Sequence, residues 1–531
     1  MSTPPTETGA APLADGQALN KGLKTGAIGL LAAVVIGVAS TAPGYSIAAS
    51  LGFVTGEAGF QAPAIMWLAF LPMLFIAAAY FYLNRADPDC GTTFTWATRA
   101  IGPKSGWIGG WGIFITDLVV MPSLAAITGS YLFLLFGADG LATDTFWVTF
   151  VGVAFILAMT LICVIGIELN AKTQFVLLAA ELVVLLVFAV AAFVEVIEGQ
   201  AGTFEPSFEW LNPFALTSTR ALTGGLLIAV FLYWGWDTAV SVNEESKDAK
   251  RTPGVAALLS TVVLVLTYVV VAVAAQAVRG PGFLTDHAED VISASGEIVL
   301  GSSFDKFLLI AVLTSAAAST QTTILPAARS SLSMAAHRAA PGWFGEVSKR
   351  FFTPANSTWF FGILSCVWYV GLTLVSQDVL ADSIAAVGLM IAFYYALTGY
   401  VCVIYYRKSL LKSVKNFLFV GVAPLLGAIL LTYVFAQVTY DAFDDPAGSS
   451  ESGDVWFGGV SPAWVIGVGL LAIGVPLMLG WRLHAPKFFR RRRDPFPRPE
   501  PDGSGPPAPP ISDVGLIRDD APLATAPGGG S

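Results

Sequence analysis

Between residues 24 and 483 the chain carries twelve apolar stretches, near 24–53, 62–83, 106–136, 146–167, 172–197 and 222–242, then 255–278, 304–335, 357–376, 380–406, 417–440 and 461–483. Each is long enough to cross the roughly 30 Å hydrocarbon core of a bilayer as a helix. An all-α membrane protein with twelve transmembrane helices is therefore expected. Composition agrees, with 55% hydrophobic and 12% charged residues, where a soluble chain would carry about twice that charged fraction. Of the four cysteines, Cys163, Cys366 and Cys402 fall inside apolar stretches and Cys90 in a loop. That spacing fits neither a zinc site nor a disulfide frame, so no metal centre and no cofactor is expected.

Charge fixes the expected orientation. With the N-terminus inside, all but Arg220, Arg279 and Lys306 of the 28 lysines and arginines fall on the inner side, as the positive-inside bias requires. The outer loops are acidic: Glu195, Glu198, Glu205 and Glu209, then Asp286, Glu289 and Asp290, then Asp441, Asp444, Asp445 and Asp454. A multi-pass protein of the plasma membrane with both termini cytosolic follows. Residues 1–20 and 484–531 are polar and rich in Pro, Gly, Ala and Thr, and read as disordered tails flanking a transporter domain over 21–483. Arg490 to Arg493 in the second tail suit anionic lipid heads.

Two of the twelve stretches are interrupted. The first contains Val38-Ala39-Ser40-Thr41-Ala42-Pro43-Gly44-Tyr45, and the sixth contains Phe231-Leu232-Tyr233-Trp234-Gly235-Trp236-Asp237. Broken helices and ionisable groups are costly in hydrocarbon and persist where they face a protein cavity. A matched pair of breaks points to a transporter's binding site. They are five stretches apart, so the two helices run in opposite directions. Two inverted repeats follow, about 24–197 and 222–406, leaving 417–483 as a peripheral pair.

A helix restarting in mid-membrane presents unpaired N–H groups to an anion, and a helix ending there presents carbonyls to a cation. Ser40 or Thr41 is expected to cap the restart in the first stretch, with Pro43 at an early helical position. The amides near Ala42, Gly44 and Tyr45 then suit a carboxylate, and the carbonyls near Val38, Ala39, Phe231 and Tyr233 suit an ammonium. Paired ends of this kind fit an α-amino acid. Trp234, Gly235 and Trp236 complete the second break, where the tryptophans line the site or simply pack. Asp237 either serves the site or caps the restarting helix with its side chain.

The run from Tyr233-Trp234-Gly235-Trp236-Asp237 through Asn243-Glu244-Glu245-Ser246-Lys247-Asp248-Ala249-Lys250-Arg251-Thr252-Pro253 resembles the sixth-span signature of amino acid–polyamine–organocation permeases. Ala249 stands where many members carry proline. Ser40-Thr41-Ala42-Pro43-Gly44 is similar to that family's unwound first-span segment without its commoner Gly-Ser-Gly pattern. Residues 329–354 resemble its loop after span eight. The resemblance implies a leucine-transporter-like 5+5 inverted repeat with discontinuous helices 1 and 6, alternating access, and an aromatic lid at Phe231.

Three acids lie inside spans: Asp117, Glu181 and Asp237. Asp117 pairs with a hydroxyl or backbone group in one reading. Glu181 is nine residues into its stretch from Lys172, about 14 Å deep at helical rise. By resemblance, Glu181 matches a position where some proton-coupled members carry lysine, and Thr314-Ser315 match a hydroxyl pair that binds sodium in sodium-coupled members. Membrane serines and threonines often bond their own backbone, so both coupling ions stay open, with the proton favoured. The chain has no phosphate-binding Gly-x-x-x-x-Gly-Lys-[Ser/Thr], no His-Glu-x-x-His and no Gly-x-Ser-x-Gly, and its three histidines lie apart in sequence and outside the spans. A non-enzymatic secondary transporter of amino acids is expected, without nucleic acid partners; polyamines or other organic cations are the alternative substrates.

Overall fold

The computed structural model describes residues 21–216, 218–288, 291–301, 305–375, 379–446, 455–457 and 459–490. The expected tails lie outside these residues except for 484–490, as do Glu289, Asp290, Asp454 and Arg491 to Arg493. The chain runs α1 (Leu30–Thr41), α2 (Pro43–Ala58), α3 (Ala62–Ala86), α4 (Thr93–Ala100), α5 (Pro103–Leu135), α6 (Asp139–Ala142), α7 (Thr145–Ile165) and α8 (Ile167–Ile197). It continues with α9 (Thr219–Leu232), α10 (Thr238–Ser241), α11 (Thr252–Asp286), α12 (Val291–Leu300), α13 (Asp305–Ala336), α14 (Ala355–Thr373) and α15 (Val379–Tyr406). The last elements are α16 (Val414–Asn416), α17 (Ala423–Asp444), α18 (Pro462–His484) and α19 (Pro486–Phe489). Among the described residues there is no strand.

Nine described segments are long and apolar enough to cross a membrane, the first being the 57-residue stretch Leu30–Ala86 that holds α1 to α3. All twelve expected stretches contain helix, but length and hydropathy do not single out twelve crossings. The sixth is cut by its break into the 14-residue α9 and the four-residue α10, and α14 opens on polar Asn356, Ser357 and Thr358.

Burial is inverted relative to a soluble protein. Leu186, Val187 and Val190 on α8 and Leu426, Ile429 and Leu430 on α17 are exposed, while Glu181, Gln174, Asp117 and Asn243 are buried. Such a surface is suited to hydrocarbon, with polar groups turned into the bundle. Helices α5 and α13 pack along each other through the middle, α11 lies along α3, and α17 and α18 lean on α15 from outside. Small residues set the spacing: a Cβ on Gly129 of α5 would stand 2.4 Å from the Val148 carbonyl of α7. The packed unit continues past the expected boundary at 483, because Phe488 of α19 is fully buried against Phe94, ring centroids 5.9 Å apart.

Candidate functional site

The two breaks meet. Between α1 and α2, Ala42 alone turns left-handed, at φ 46° and ψ 67°, and Pro43 starts α2 where its missing N–H costs no hydrogen bond. In the second break α9 ends at Leu232, and Gly235 takes φ 119° before α10 restarts at Thr238. A Cβ on Gly235 would lie 2.7 Å from the Ser40 carbonyl carbon and oxygen and 2.9 Å from the Thr41 nitrogen. Only glycine satisfies both the dihedral and the approach. Ser40 Oγ and Thr238 Oγ1 share a 2.8 Å hydrogen bond across the junction, and Ser319 Oγ of α13 donates to the Ser40 carbonyl at 2.9 Å.

The restart is capped from another helix, which corrects the expectation for Ser40 and Thr41. The N-cap position is Ala42, which offers no side-chain acceptor, and the Thr41 hydroxyl donates back to the Val38 carbonyl at 2.6 Å. The Gly44 amide instead donates to Glu181 Oε1 of α8 at 2.5 Å, and the Tyr45 amide donates to Ser315 Oγ of α13 at 3.0 Å. Ser315 Oγ in turn donates to the same Glu181 oxygen at 2.8 Å, and Glu181 Oε2 has no hydrogen-bond partner among the described residues. A protein carboxylate thus occupies the amide that sequence reasoning offered to a substrate carboxylate. The Ala39 carbonyl accepts from Ala42 N–H at 3.2 Å, and Phe231 O accepts from Trp234 N–H at 3.0 Å. Those acceptors are therefore used locally as well.

The other candidates divide. Phe231 is 3% exposed and stands edge-on to Tyr45, ring centroids 6.2 Å apart. Tyr233 points away, its hydroxyl donating to the Met66 carbonyl and its ring against Tyr268, so its side chain packs α3, α9 and α11 together. Trp234 Nε1 donates to the Tyr394 hydroxyl at 2.5 Å. Asp237 does not cap α10 with its side chain: Oδ1 accepts from Tyr395 OH at 2.9 Å and Oδ2 from Tyr394 OH at 3.1 Å. Asp117 is 1% exposed, and its Oδ2 has no hydrogen-bond partner among the described residues. Thr314 and Ser315 diverge, Thr314 Oγ1 bonding the carbonyls of its own helix at Ile310 and Ala311.

A second polar cluster closes the end that carries the N-terminal segment. Lys21 Nζ lies 2.8 Å from Asp89 Oδ2 and 2.5 Å from Glu244 Oε1, and Arg329 grips buried Glu245 at 2.6 and 2.9 Å. Ile28 pairs with the segment beyond Glu245 through backbone bonds of 3.0 and 2.8 Å. Burial opposes the Lys21 ammonium, yet Asp89, Cys90 and Glu244 hold its pKa well above the ordinary value. Burial likewise opposes the Asp89 carboxylate, but Lys21 and His337 keep it well below. Donor atoms of Asp89, Cys90 and Glu244 fall within 4.8 Å of one another, the spacing of a metal site, but the Lys21 ammonium already sits among them. Sequence reasoning missed this cluster. Asp87-Pro88-Asp89-Cys90-Gly91 reads as an ordinary turn, and only the Glu244-Glu245 motif hinted at a contact.

A cavity of about 620 Å³ opens at the opposite end between Phe53, Leu134, Asp139, Asp286, His287 and Glu297. Residues of the breaks do not line it. A family model described as amino acid permease matches residues 28–468. The chain belongs to the amino acid permease family. This permease is similar to an uncharacterized transporter of Mycobacterium tuberculosis, 27% identical over 62% of this chain and 70% of that one. It is also similar to the low-affinity putrescine importer PlaP of Escherichia coli, 23% identical over 75% and 86%. Among solved structures, MhsT in complex with L-phenylalanine matches with a TM-score of 0.56 at 15% identity, covering 80% of this chain and 99% of that one. The permease accordingly has the leucine-transporter-like fold that the family resemblance implied. It is a multi-pass membrane protein of a family that moves amino acids or amines.

Proposed function

We propose that the permease is a secondary active transporter that imports amino acids across the plasma membrane by alternating access, coupled to protons through Glu181. Substrate binds between the breaks, at Ser40 to Gly44 and Phe231 to Gly235. The observation that carries this reading is the position of the Glu181 carboxylate. It joins the restarting half of the first span, through the Gly44 amide, to α13, through Ser315. A buried carboxyl favours its neutral form, and protonation weakens its hold on an N–H donor. Loss of that hold frees the Gly44 amide for a substrate carboxylate, and reionisation takes it back. Proton and substrate binding at one amide are thereby linked. Sodium coupling, served by the hydroxyls of Thr314 and Ser315, is the second reading.

Purified protein in liposomes tests the proposal. Glu181→Gln imitates the protonated form, so substrate exchange persists while accumulation driven by a pH gradient is lost. Unchanged accumulation by the glutamine variant contradicts the role, and sodium-dependent uptake abolished by Ser315→Ala replaces the proton with sodium.

A further inference from the structure

We infer that an apolar slot between α5, α14 and α18 holds one acyl chain of an anionic phospholipid, whose headgroup lies against Lys104 and Arg482. The slot is a binding site for lipid, separate from the transported substrate, because residues of the two breaks do not line it.

Helix α5 forms the floor of the slot, α14 and α18 form its walls, and residues 339–344 close one end around a volume of about 370 Å³. Along the floor run Trp107, Trp111, Phe114 and Leu118, a length of about 16 Å at helical rise. Successive rings stack, Trp107 on Trp111 and Trp111 on Phe114, with centroids 6.1 Å apart in both pairs. The indole N–H groups are all satisfied by backbone. Trp107 Nε1 donates to the Ala339 carbonyl at 2.8 Å, Trp111 Nε1 to Leu470 at 3.0 Å and Trp481 Nε1 to Arg338 at 3.1 Å. Apart from these indoles, Ser331 alone among the lining residues carries a side-chain nitrogen or oxygen, and no lining residue is charged.

Such a surface suits hydrocarbon. A polypeptide segment laid here would bury backbone N–H and C=O groups without partners, at high cost. Phe360 on one wall is 38% exposed and Leu477 on the other is 46% exposed, so the slot opens sideways onto the lipid-facing surface. The closed end is basic. Lys104 is exposed one turn before Trp107 on the same face of α5, and Arg482 is exposed directly after Trp481. Arg338 and Lys487 add positive charge beside Ala339 and Phe488, two buried members of the apolar cluster that contains Trp107. The acid on this stretch, Glu346, accepts from Asn356 Nδ2 at 2.8 Å. Basic pockets between membrane helices at a cytosolic surface select anionic headgroups. Through Ser331 and Met334 the chain in the slot also braces the end of α13, the helix whose Ser315 holds Glu181.

The test is photolabelling of the full chain in phosphatidylcholine vesicles, followed by peptide mapping. The probe is phosphatidylglycerol with a diazirine at the end of one acyl chain, compared with phosphatidylcholine labelled in the same way. Phosphatidylglycerol is expected to label the segments holding Phe114, Leu118 and Leu364 at least about tenfold more than phosphatidylcholine does. Reversing both exposed charges, Lys104→Glu with Arg482→Glu, brings the two lipids within about twofold. Leu364→Trp fills the slot, lowering the labelling of α5 by both probes while the exposed faces of α8 and α17 stay labelled. Equal labelling by the two lipids in the wild type overturns the inference, as does a preference that survives both charge reversals. Labelling confined to α8 and α17 overturns it too. A slot that takes neither lipid until residues 491–531 are removed belongs to that segment of the chain, which again overturns the inference. Labelling is read without a transported substrate, so each outcome leaves the transport reading standing.

Discussion

Phe231 ends the first half of the broken sixth span with its ring edge against Tyr45, which follows Gly44 in the first. A ring placed between two breaks can cover a bound ligand and shield its charges from water. Phe231→Ala is expected to weaken apparent affinity about tenfold, whereas Phe231→Trp stays within about threefold, as measured by concentration-dependent uptake. Equal behaviour of the two variants removes the covering role. Some of this chemistry was legible in the sequence. Pro43 and Gly235 are unsuited to continuous helix, and they mark the turns; the left-handed turn falls on Ala42, a residue type that gives no sign of it. What Glu181 and Asp237 bond to was not legible. Their partners, Gly44, Ser315, Tyr394 and Tyr395, are up to 158 positions away and converge only when α2, α8, α10, α13 and α15 pack. An acid's depth can be counted along one helix, but its partner depends on the neighbour's rotation.

Among elements, the segment before α1 is fastened by charge, with Lys21 between Asp89 and Glu244. Removing one partner of a buried pair leaves the others uncompensated. Lys21→Ala is therefore expected to loosen α1, raising the labelling of buried Cys90 by a thiol reagent about tenfold when the other three cysteines are replaced. The pH dependence follows from the directions of the shifts. Lys21 is raised, so its contribution is present below the free lysine value and is lost only as pH rises through its higher folded value. Asp89 is lowered, so its contribution is present above the free aspartate value and is lost only as pH falls through its lower folded value. Glu244, raised by burial against the pull of Lys21, takes a proton first as pH falls, which relieves its burial and leaves the Lys21–Asp89 pair intact. The ratio of variant to wild-type labelling is thus the same at about pH 6 and pH 8. A ratio that falls to one at the lower value contradicts the assignment of the latch to Asp89.

The whole molecule joins two inverted halves whose broken helices touch at Gly235 and Ser40, with an ionic latch at one end and an open cavity at the other. The charge bias predicts that both termini are cytosolic, so single cysteines at Ser2 and Ser531 are expected to resist impermeant reagents added to intact cells. Labelling of both from outside reverses the topology. The central claim, that substrate binds where the two breaks meet, is tested most directly by hydrogen–deuterium exchange with and without a transported substrate. The account predicts added protection over residues 40–45 and 231–237, the former most strongly at the Gly44 amide as Glu181 gives way to the ligand. Protection confined to the cavity around Asp286 and Glu297, with exchange at both breaks unchanged, would contradict it.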